Sequence, residues 1–381
     1  MKQQLNFKER LLTRRKGLVD TSPENNGYFA YLSKENMRWV LPVDSRLRRE
    51  GIKVFRPQSL KGKAIKKFIS LGLLPGKPLP AACDELGSLG AKISSEMGIS
   101  DLALAVSLGT EGAYQKYTVR VMAPDGSAMA YAKLADTDLA ISRLEIEHKA
   151  FQVLNSYPEL NGMVPSLISY FKWDGTQVLL MNAGLETSSS HKLTPAHFDF
   201  LSNLFKASCQ ESKLFQGDMW GKITQRTKLA RAKGERAWSA RVGKCFEVLK
   251  QRWNGLIVPL SIAHGDFVPW NISGDHRGLY VFDWEGIIFG ATPLYDAFHF
   301  EAIQKALKNR PYRPDKAFFQ GQLSKLWPGN KIEINELYLA YLLDISLFYL
   351  EARIKAPKVG DGRVLEWLGR RIDEWMENDA A

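Results

Sequence analysis

The sequence predicts an α+β protein of two lobes, a small antiparallel-sheet lobe and then a mostly helical one, preceded by a basic region. Three observations predict it. From Asp101 to Ala183, short apolar runs are separated by Gly- and Pro-containing turns, the pattern of strands. Beyond Gly184 the chain reads as mostly helical, interrupted by one hairpin pattern at 272–283. The first hundred residues hold 19 Lys+Arg and 9 Asp+Glu, whereas the remainder holds 33 and 32. The expected divisions are a basic N-terminal extension (1–98), a sheet lobe (99–183) and a helical lobe (184–381).

Residues 1–98 carry Pro and Gly punctuation such as LLPGKPLP and no motif. Within them, SLKGKAIKKFISLGLL has apolar residues at roughly helical spacing with lysines between. Such a segment can lie on an anionic membrane or pack on the body with its lysines in water. The next runs, LALAVS, QKYTVRVM and SAMAYAKL, read as three antiparallel strands joined by the loop LGTEGAY and the turn APDG. A helix follows over ISRLEIEHKAFQVLNSY, supported by Leu144, Phe151 and Leu154, and then the strands PSLISYF and TQVLLMN. A site is expected in the cleft between the lobes.

Bulk composition narrows the class. At 381 residues, 45% hydrophobic and 24% charged, the chain reads as a globular protein with a sizeable core. Its three cysteines, Cys83, Cys209 and Cys245, form no CxxC pair, which argues for a reducing compartment and against a zinc site. The start has no continuous apolar stretch of the secretory kind. The run LYLAYLLDISLFYL from Leu337 is broken by Asp344 and is too short to span a bilayer, so a buried helix is expected. The expected location is the cytoplasm, with peripheral contact to an anionic membrane surface through residues 1–98 as a further reading. No helix-turn-helix, zinc or RNP-like pattern accompanies the basic region, so nucleic acid is not the expected partner.

The stretch HGDFVPWNISGDHRGLYVFDWE, His264 to Glu285, concentrates the chemistry. Ile272 and LYVF read as two strands with GDHRG as the turn, which would fold Asp283 back beside the loop carrying Asp266 and Asn271. Three small oxygen-bearing side chains gathered at one end of a sheet suggest a hard cation such as Mg²⁺.

The order of these features resembles that of a kinase-type phosphoryl-transfer enzyme. Gly109 and Gly112 stand where a Gly-rich loop covers phosphates, and Lys133 stands on the third of the strands just described. Glu147, with Glu145 as the alternative, lies in the following helix, and Asp266 and Asn271 keep the Asp-x-x-x-x-Asn spacing. In detail, HGDFVPWN, VFDWE and GATPLYDAF resemble the aminoglycoside phosphotransferase and choline kinase-like family, which has a protein kinase-like fold. The resemblance covers about 101–381 and is densest in 264–296. It implies Asp266 as catalytic base, Asn271 and Asp283 as Mg²⁺ ligands, and Lys133 as phosphate contact aimed by Glu147. It also implies Asp296 as a brace for the catalytic loop, and Met181 to Gly184 as the linker meeting the purine, with Met181 and Ala183 as contacts. The nucleotide is expected to be ATP, with GTP as the alternative. His264 is expected to brace the loop, and Trp270 and Trp284 to belong to the core.

Departures from protein kinases point to a small-molecule acceptor. Val268 stands where Ser/Thr kinases have a Lys, and the chain runs from Asp283 almost directly into TPLYDAF, leaving no room for an activation loop. Lys222 to Arg252 holds 10 basic and 2 acidic residues, which suits an acidic sugar or glycan acceptor better than a polycationic one. The competing reading is a catalytically inactive kinase-like protein recruited to anionic partners.

Overall fold

The computed structural model describes residues 5–13, 27–33, 36–57, 59–109, 111–112, 114–187, 189–275, 278–355 and 362–379. The chain divides into two compact units, Met1–Ser156 with Val164–Leu185, and Tyr157–Met163 with Glu186–Ala381.

The first unit is built on one sheet. Its elements are α1 (Phe7–Leu12), β1 (Tyr28–Ser33), β2 (Asn36–Pro42), α2 (Ser45–Gly51), α3 (Leu60–Ser70), β3 (Lys77–Pro78) and α4 (Ala81–Met97). They continue with β4 (Ala103–Ser107), β5 (Tyr117–Met122), β6 (Ala128–Ala135), α5 (Asp138–Leu154), β7 (Leu167–Trp173) and β8 (Thr176–Asn182). The strands run in the order β3-β1-β2-β4-β5-β6-β8-β7, with every neighbouring pair antiparallel. The expected strands between 102 and 182 are all present. Helix α5 starts three residues earlier than the apolar spacing suggests, because the Thr137 hydroxyl accepts the Ala140 N–H and caps it there.

Strands β1 to β3 belong to this sheet, and the helices between them and α4 pack on it. β2 pairs with β4 at Trp39↔Ser107 and Val40↔Val106, so the sheet of 99–183 continues into the basic region. Helix α4 buries Ala82, Leu86, Leu89 and Ile93, a stripe of helical period, against the sheet core. The short helix α1 is pinned by Phe7, fully buried with its ring 5.0 Å from Tyr117 and 6.2 Å from Trp173. Arg10 adds an ion pair to the buried Glu85 (2.5 Å) and a hydrogen bond to the Thr176 hydroxyl (2.9 Å).

The second unit contains α6 (Pro195–Ser208), β9 (Gln210–Lys213), α7 (Asp218–Lys233), α8 (Arg236–Arg252), β10 (Ile257–Ala263), β11 (Ile272–Asp275) and β12 (Gly278–Val281). After them come β13 (Ile288–Ala291), α9 (Tyr295–Leu307), α10 (Lys316–Leu326), α11 (Ile334–Lys355) and α12 (Gly362–Asp379). Strands β11 and β12 form the expected hairpin. The three-stranded sheet β13-β10-β9 departs from the helical reading of this region. Ile257–Ala263 is a short apolar run whose strand character is fixed only by distant partners, such as Gln210 opposite Leu260 and Ala291 opposite Ser261.

Helix α11 is the buried helix expected at Leu337. Asp344 is tolerated inside it because its carboxylate accepts from the Tyr295 hydroxyl (2.7 Å) and from Arg226 (3.3 Å). The basic block of α7 and α8 is partly neutralised by the fold. Arg226 also meets Glu351 (2.8 Å), Arg241 meets Asp373 (2.7 Å), Arg252 meets Glu336 (3.2 Å) and Arg231 meets Glu247 (3.4 Å). Lys222, Lys228, Lys233, Lys244 and Lys250 remain exposed. All three cysteines are free. Among the described residues no helix is long and apolar enough to cross a membrane.

Candidate functional site

In the second unit the segment His264–Asn271 is fixed from both ends by its own sequence. Between Asp266 and Asn271, the side chains of Phe267, Val268 and Pro269 are buried, so the apolar residues anchor the loop in the core. Gly265 has φ +79°, and a Cβ there would lie 2.1 Å from the Gly286 carbonyl oxygen, so only glycine fits. The backbone N–H groups of His264 and Gly265 donate to the two carboxylate oxygens of Asp296, at 2.7 and 3.0 Å. Burial pushes the Asp296 carboxyl above its usual range, against these two bonds and the neighbouring histidines.

The His264 ring is fully committed. Its Nδ1 accepts the Asp266 N–H (3.2 Å), so its Nε2 carries the proton and donates to the Phe282 carbonyl (2.9 Å). The ring packs against Trp284 in a tilted contact, centroids 4.5 Å apart, and Trp284 is completely buried. This histidine joins the loop to the segment after the hairpin and has no nitrogen left for proton transfer. A further bond, from the Phe282 N–H to the Asn271 carbonyl (3.0 Å), closes the same junction.

The Asp266 carboxylate is held by both oxygens and still half open to solvent, its side chain 49% exposed. Oδ2 accepts from Asn271 Nδ2 (2.9 Å) and Oδ1 from the buried His299 Nε2 (3.2 Å). A carboxylate can only accept, so His299 carries its proton on Nε2, leaving Nδ1 to accept from the Tyr341 hydroxyl (3.4 Å). Desolvation works to raise the Asp266 carboxyl. The His299 hydrogen bond and the nearby His299 and His264 rings outweigh it, and the net direction is down. His299 was not anticipated from the sequence. The signal was its spacing three residues after Asp296, which puts both on one face of α9.

Asn271 is buried, and its Nδ2 also donates to the Asp266 carbonyl (3.0 Å). Spending the amide nitrogen twice on Asp266 fixes the flip of the side chain and leaves Oδ1 as its acceptor atom. Asp283 follows the hairpin with φ 71° and ψ 58°, a left-handed conformation that Asp adopts more readily than most residues. Nearby, Leu294 holds φ 65°, a costly conformation for a bulky side chain, just before Asp296. Among the described residues no group of three His, Cys, Asp or Glu could hold a metal. The oxygen donors expected here are one amide and one carboxylate, a set that suits Mg²⁺ when phosphates complete the shell. A cavity of about 300 Å³ in this unit lies against α6, α10, the end of β10 and the start of α9 at Asp296, and Asp266 does not line it.

In the first unit, Lys133 on β6 donates to both carboxylate oxygens of Glu147 on α5, at 2.5 and 2.7 Å. Glu147 is fully buried, whereas Glu145 is exposed. The glycine loop between β4 and β5 is described at Gly109, Glu111 and Gly112, with Thr110 and Ala113 outside the described residues. Gly109 has φ +65°, and a Cβ would come within 2.5 Å of the Lys116 carbonyl oxygen. Gly112 has open space where a Cβ would sit. Residues of the basic region hold this loop. Arg38 donates to the Gly109 carbonyl, and Glu111 accepts from Lys8 (2.6 Å) and Asn36 (3.1 Å). The linker begins two residues later than the sequence suggested, at Ala183, since Met181 and Asn182 still belong to β8 and Met181 is buried. The Ala183 N–H is taken by the Met129 carbonyl (3.0 Å), which leaves its own carbonyl as the group it can offer.

Several solved structures share this fold. A thermostable mutant of aminoglycoside phosphotransferase APH(4)-Ia, solved with AMP-PNP and hygromycin B, aligns at TM-score 0.53 and 13% identity, over 77% of this chain and 99% of that one. A variant of the same enzyme bound to ADP and hygromycin B gives 0.52 and 14% over the same shares. The choline kinase LicA from Streptococcus pneumoniae gives 0.51 and 14%, again over 77% and 99%. The chain has the protein kinase-like fold. At these identities the likeness establishes the fold alone, and this kinase-like chain carries about a quarter of its length beyond what the others span. No family model and no curated protein sequence matches it.

Proposed function

We propose that this chain is an ATP- and Mg²⁺-dependent phosphotransferase that moves the γ-phosphoryl group to a hydroxyl of a small molecule. The observation that carries the reading is Asp266, a carboxylate steered by His299 and Asn271 yet open to solvent. Phosphoryl transfer asks a protein for positioning and charge neutralisation more than for covalent chemistry. Asp266 orients the acceptor hydroxyl and takes its proton as the oxygen attacks phosphorus. General-base help of this kind contributes roughly 10²–10⁴-fold. Lys133, aimed by Glu147, contacts the nucleotide phosphates, and Gly109 and Gly112 let the backbone approach them. Asn271 Oδ1 and the Asp283 carboxylate would hold Mg²⁺, which when bound neutralises phosphate charge. Met181 packs behind the purine edge, and the Ala183 carbonyl faces it. The nucleotide we favour is ATP, the base named with the solved kinase-like neighbours as ADP or AMP-PNP.

The acceptor we propose is an acidic sugar or glycan unit. Hygromycin B and choline are the small molecules named with the neighbours, and neither is acidic. The five exposed lysines of α7 and α8 favour an anion, although the arginines of that block are already matched by carboxylates. The basic first 98 residues would keep the enzyme beside an anionic membrane surface in the cytoplasm. Turnover of ATP with a panel of acidic sugars, sugar phosphates and aminoglycosides tests the acceptor. Turnover confined to anionic acceptors supports the reading, and efficient turnover of kanamycin-like compounds would refute it.

A further inference from the structure

Helix α3 is apolar on two opposite faces. One face packs inward: Ile69 is fully buried in a cluster with Tyr31, Trp39, Leu41 and Ile52, and Gly62 and the half-buried Ile65 share that side. Leu60, Ala64, Phe68 and Leu71 fall at i, i+4, i+8 and i+11, within about 80° of each other at 100° per residue, on the opposite side. All four face solvent, with Leu60 85%, Phe68 49% and Leu71 57% exposed, and Leu73 just beyond is 65% exposed. A single exposed Leu needs no explanation, but an outward apolar stripe on one helix does.

The charges around the stripe indicate what covers it. Lys61 borders it on one side, Lys63 and Lys67 on the other, and all three are exposed. Lys66 lies on the inward side, donating to the Phe55 carbonyl (2.7 Å). Burial, with Arg56, Lys53 and Arg120 nearby, pushes it down to about 8. From Asp44 to Lys67 there are 9 Lys+Arg and 2 Asp+Glu, so the whole neighbourhood is electropositive. Lysine is depleted at protein–protein interfaces, whereas lysines flanking exposed Leu and Phe are the pattern of helices that lie in a lipid headgroup layer.

We propose that the outward face of α3, continued by Leu71 and Leu73, docks on an anionic lipid bilayer. Leu60, Phe68, Leu71 and Leu73 enter the acyl boundary, while Lys61, Lys63 and Lys67 extend to lipid phosphates. The proposal deepens the membrane part of the preceding reading and does not depend on the phosphotransfer part. The test is co-sedimentation of the full chain with vesicles of phosphatidylcholine alone or mixed with phosphatidylglycerol, with the thermal unfolding midpoint of each variant measured separately as a check of folding. Binding to the mixed vesicles only, weakened by salt, is expected. Lys63→Gln should reduce partitioning about fivefold, and Phe68→Ser about tenfold, with the thermal midpoint close to the parent's in both. Equal binding to neutral vesicles, or binding that both substitutions leave intact, would overturn it. So would no vesicle binding together with a self-association that Phe68→Ser abolishes, which would assign the stripe to a second copy of the chain.

Discussion

The two units hold their key carboxylates in opposite ways. In the first unit Glu147 is sealed from solvent and gives both oxygens to Lys133, a closed ion pair. In the second, Asp266 is gripped by His299 and Asn271 but stays half exposed, and its pKa is held down. One carboxylate is consumed by the fold and the other is displayed by it. Removing either should therefore cost different things.

The largest expected effect is on the displayed group. Asp266→Asn keeps the shape and loses the base, so turnover of ATP with a competent acceptor should fall roughly 10²–10⁴-fold. The thermal midpoint should stay close to that of the parent. A comparable loss of stability would mean that Asp266 is structural, like Glu147, and the contrast would fail.

Next comes the closed pair. Lys133→Met strands a buried carboxylate, which costs about 3–5 kcal/mol when one partner of a buried pair is removed. Denaturant unfolding should register that loss. The double variant Lys133→Met, Glu147→Gln should recover most of the stability without recovering nucleotide binding.

His299 sharpens the comparison through pH. On the proposed reading it acts through Asp266, to which its Nε2 donates, and so is a positioning residue. A general base works as its ionised form, and His299 helps to depress the Asp266 pKa, so activity should be lost as pH falls through that lowered value. In His299→Gln the Asp266 pKa rises, and the acid limb of the kcat profile should move to higher pH. The plateau should drop roughly tenfold to a hundredfold from lost orientation. An unmoved acid limb would mean that the contact does not tune the base.

The smallest effect concerns the basic region. Arg38→Ala releases the Gly109 carbonyl, and Glu111→Gln loosens the ties to Lys8 and Asn36. The exposed Glu111 contacts are worth about 0–1 kcal/mol each, and the part-buried Arg38 bond about 1.5–3 kcal/mol. The KM for ATP should therefore rise modestly, more for Arg38→Ala than for Glu111→Gln, with kcat preserved.

The local structure of the block 264–296 was legible because it depends on short spacings. Five residues from Asp266 to Asn271 and a tight hairpin to Asp283 set the arrangement locally. Lys133 and Glu147 were legible for the same reason, one on a strand and the other on the helix that follows it. What stayed hidden depends on pairing across long distances. Nothing between Tyr28 and Pro42 indicates that β2 will lie beside β4. Arg38 reaching Gly109 and β10 finding Gln210 and Ala291 are equally non-local. In α3, spacing alone could not say which apolar face would turn inward. Ile69 did, and Phe68 did not.

The central claim is that Asp283 and Asn271 complete a metal–nucleotide site in this kinase-like chain. Equilibrium binding of ATP to the full chain, with and without Mg²⁺, for the parent and for Asp283→Ala, tests it most directly. The account predicts that Mg²⁺ strengthens binding to the parent and that Asp283→Ala abolishes this enhancement. No binding by the folded parent, or an enhancement that survives in Asp283→Ala, would contradict it and leave a kinase-like fold that recruits anionic partners without catalysis.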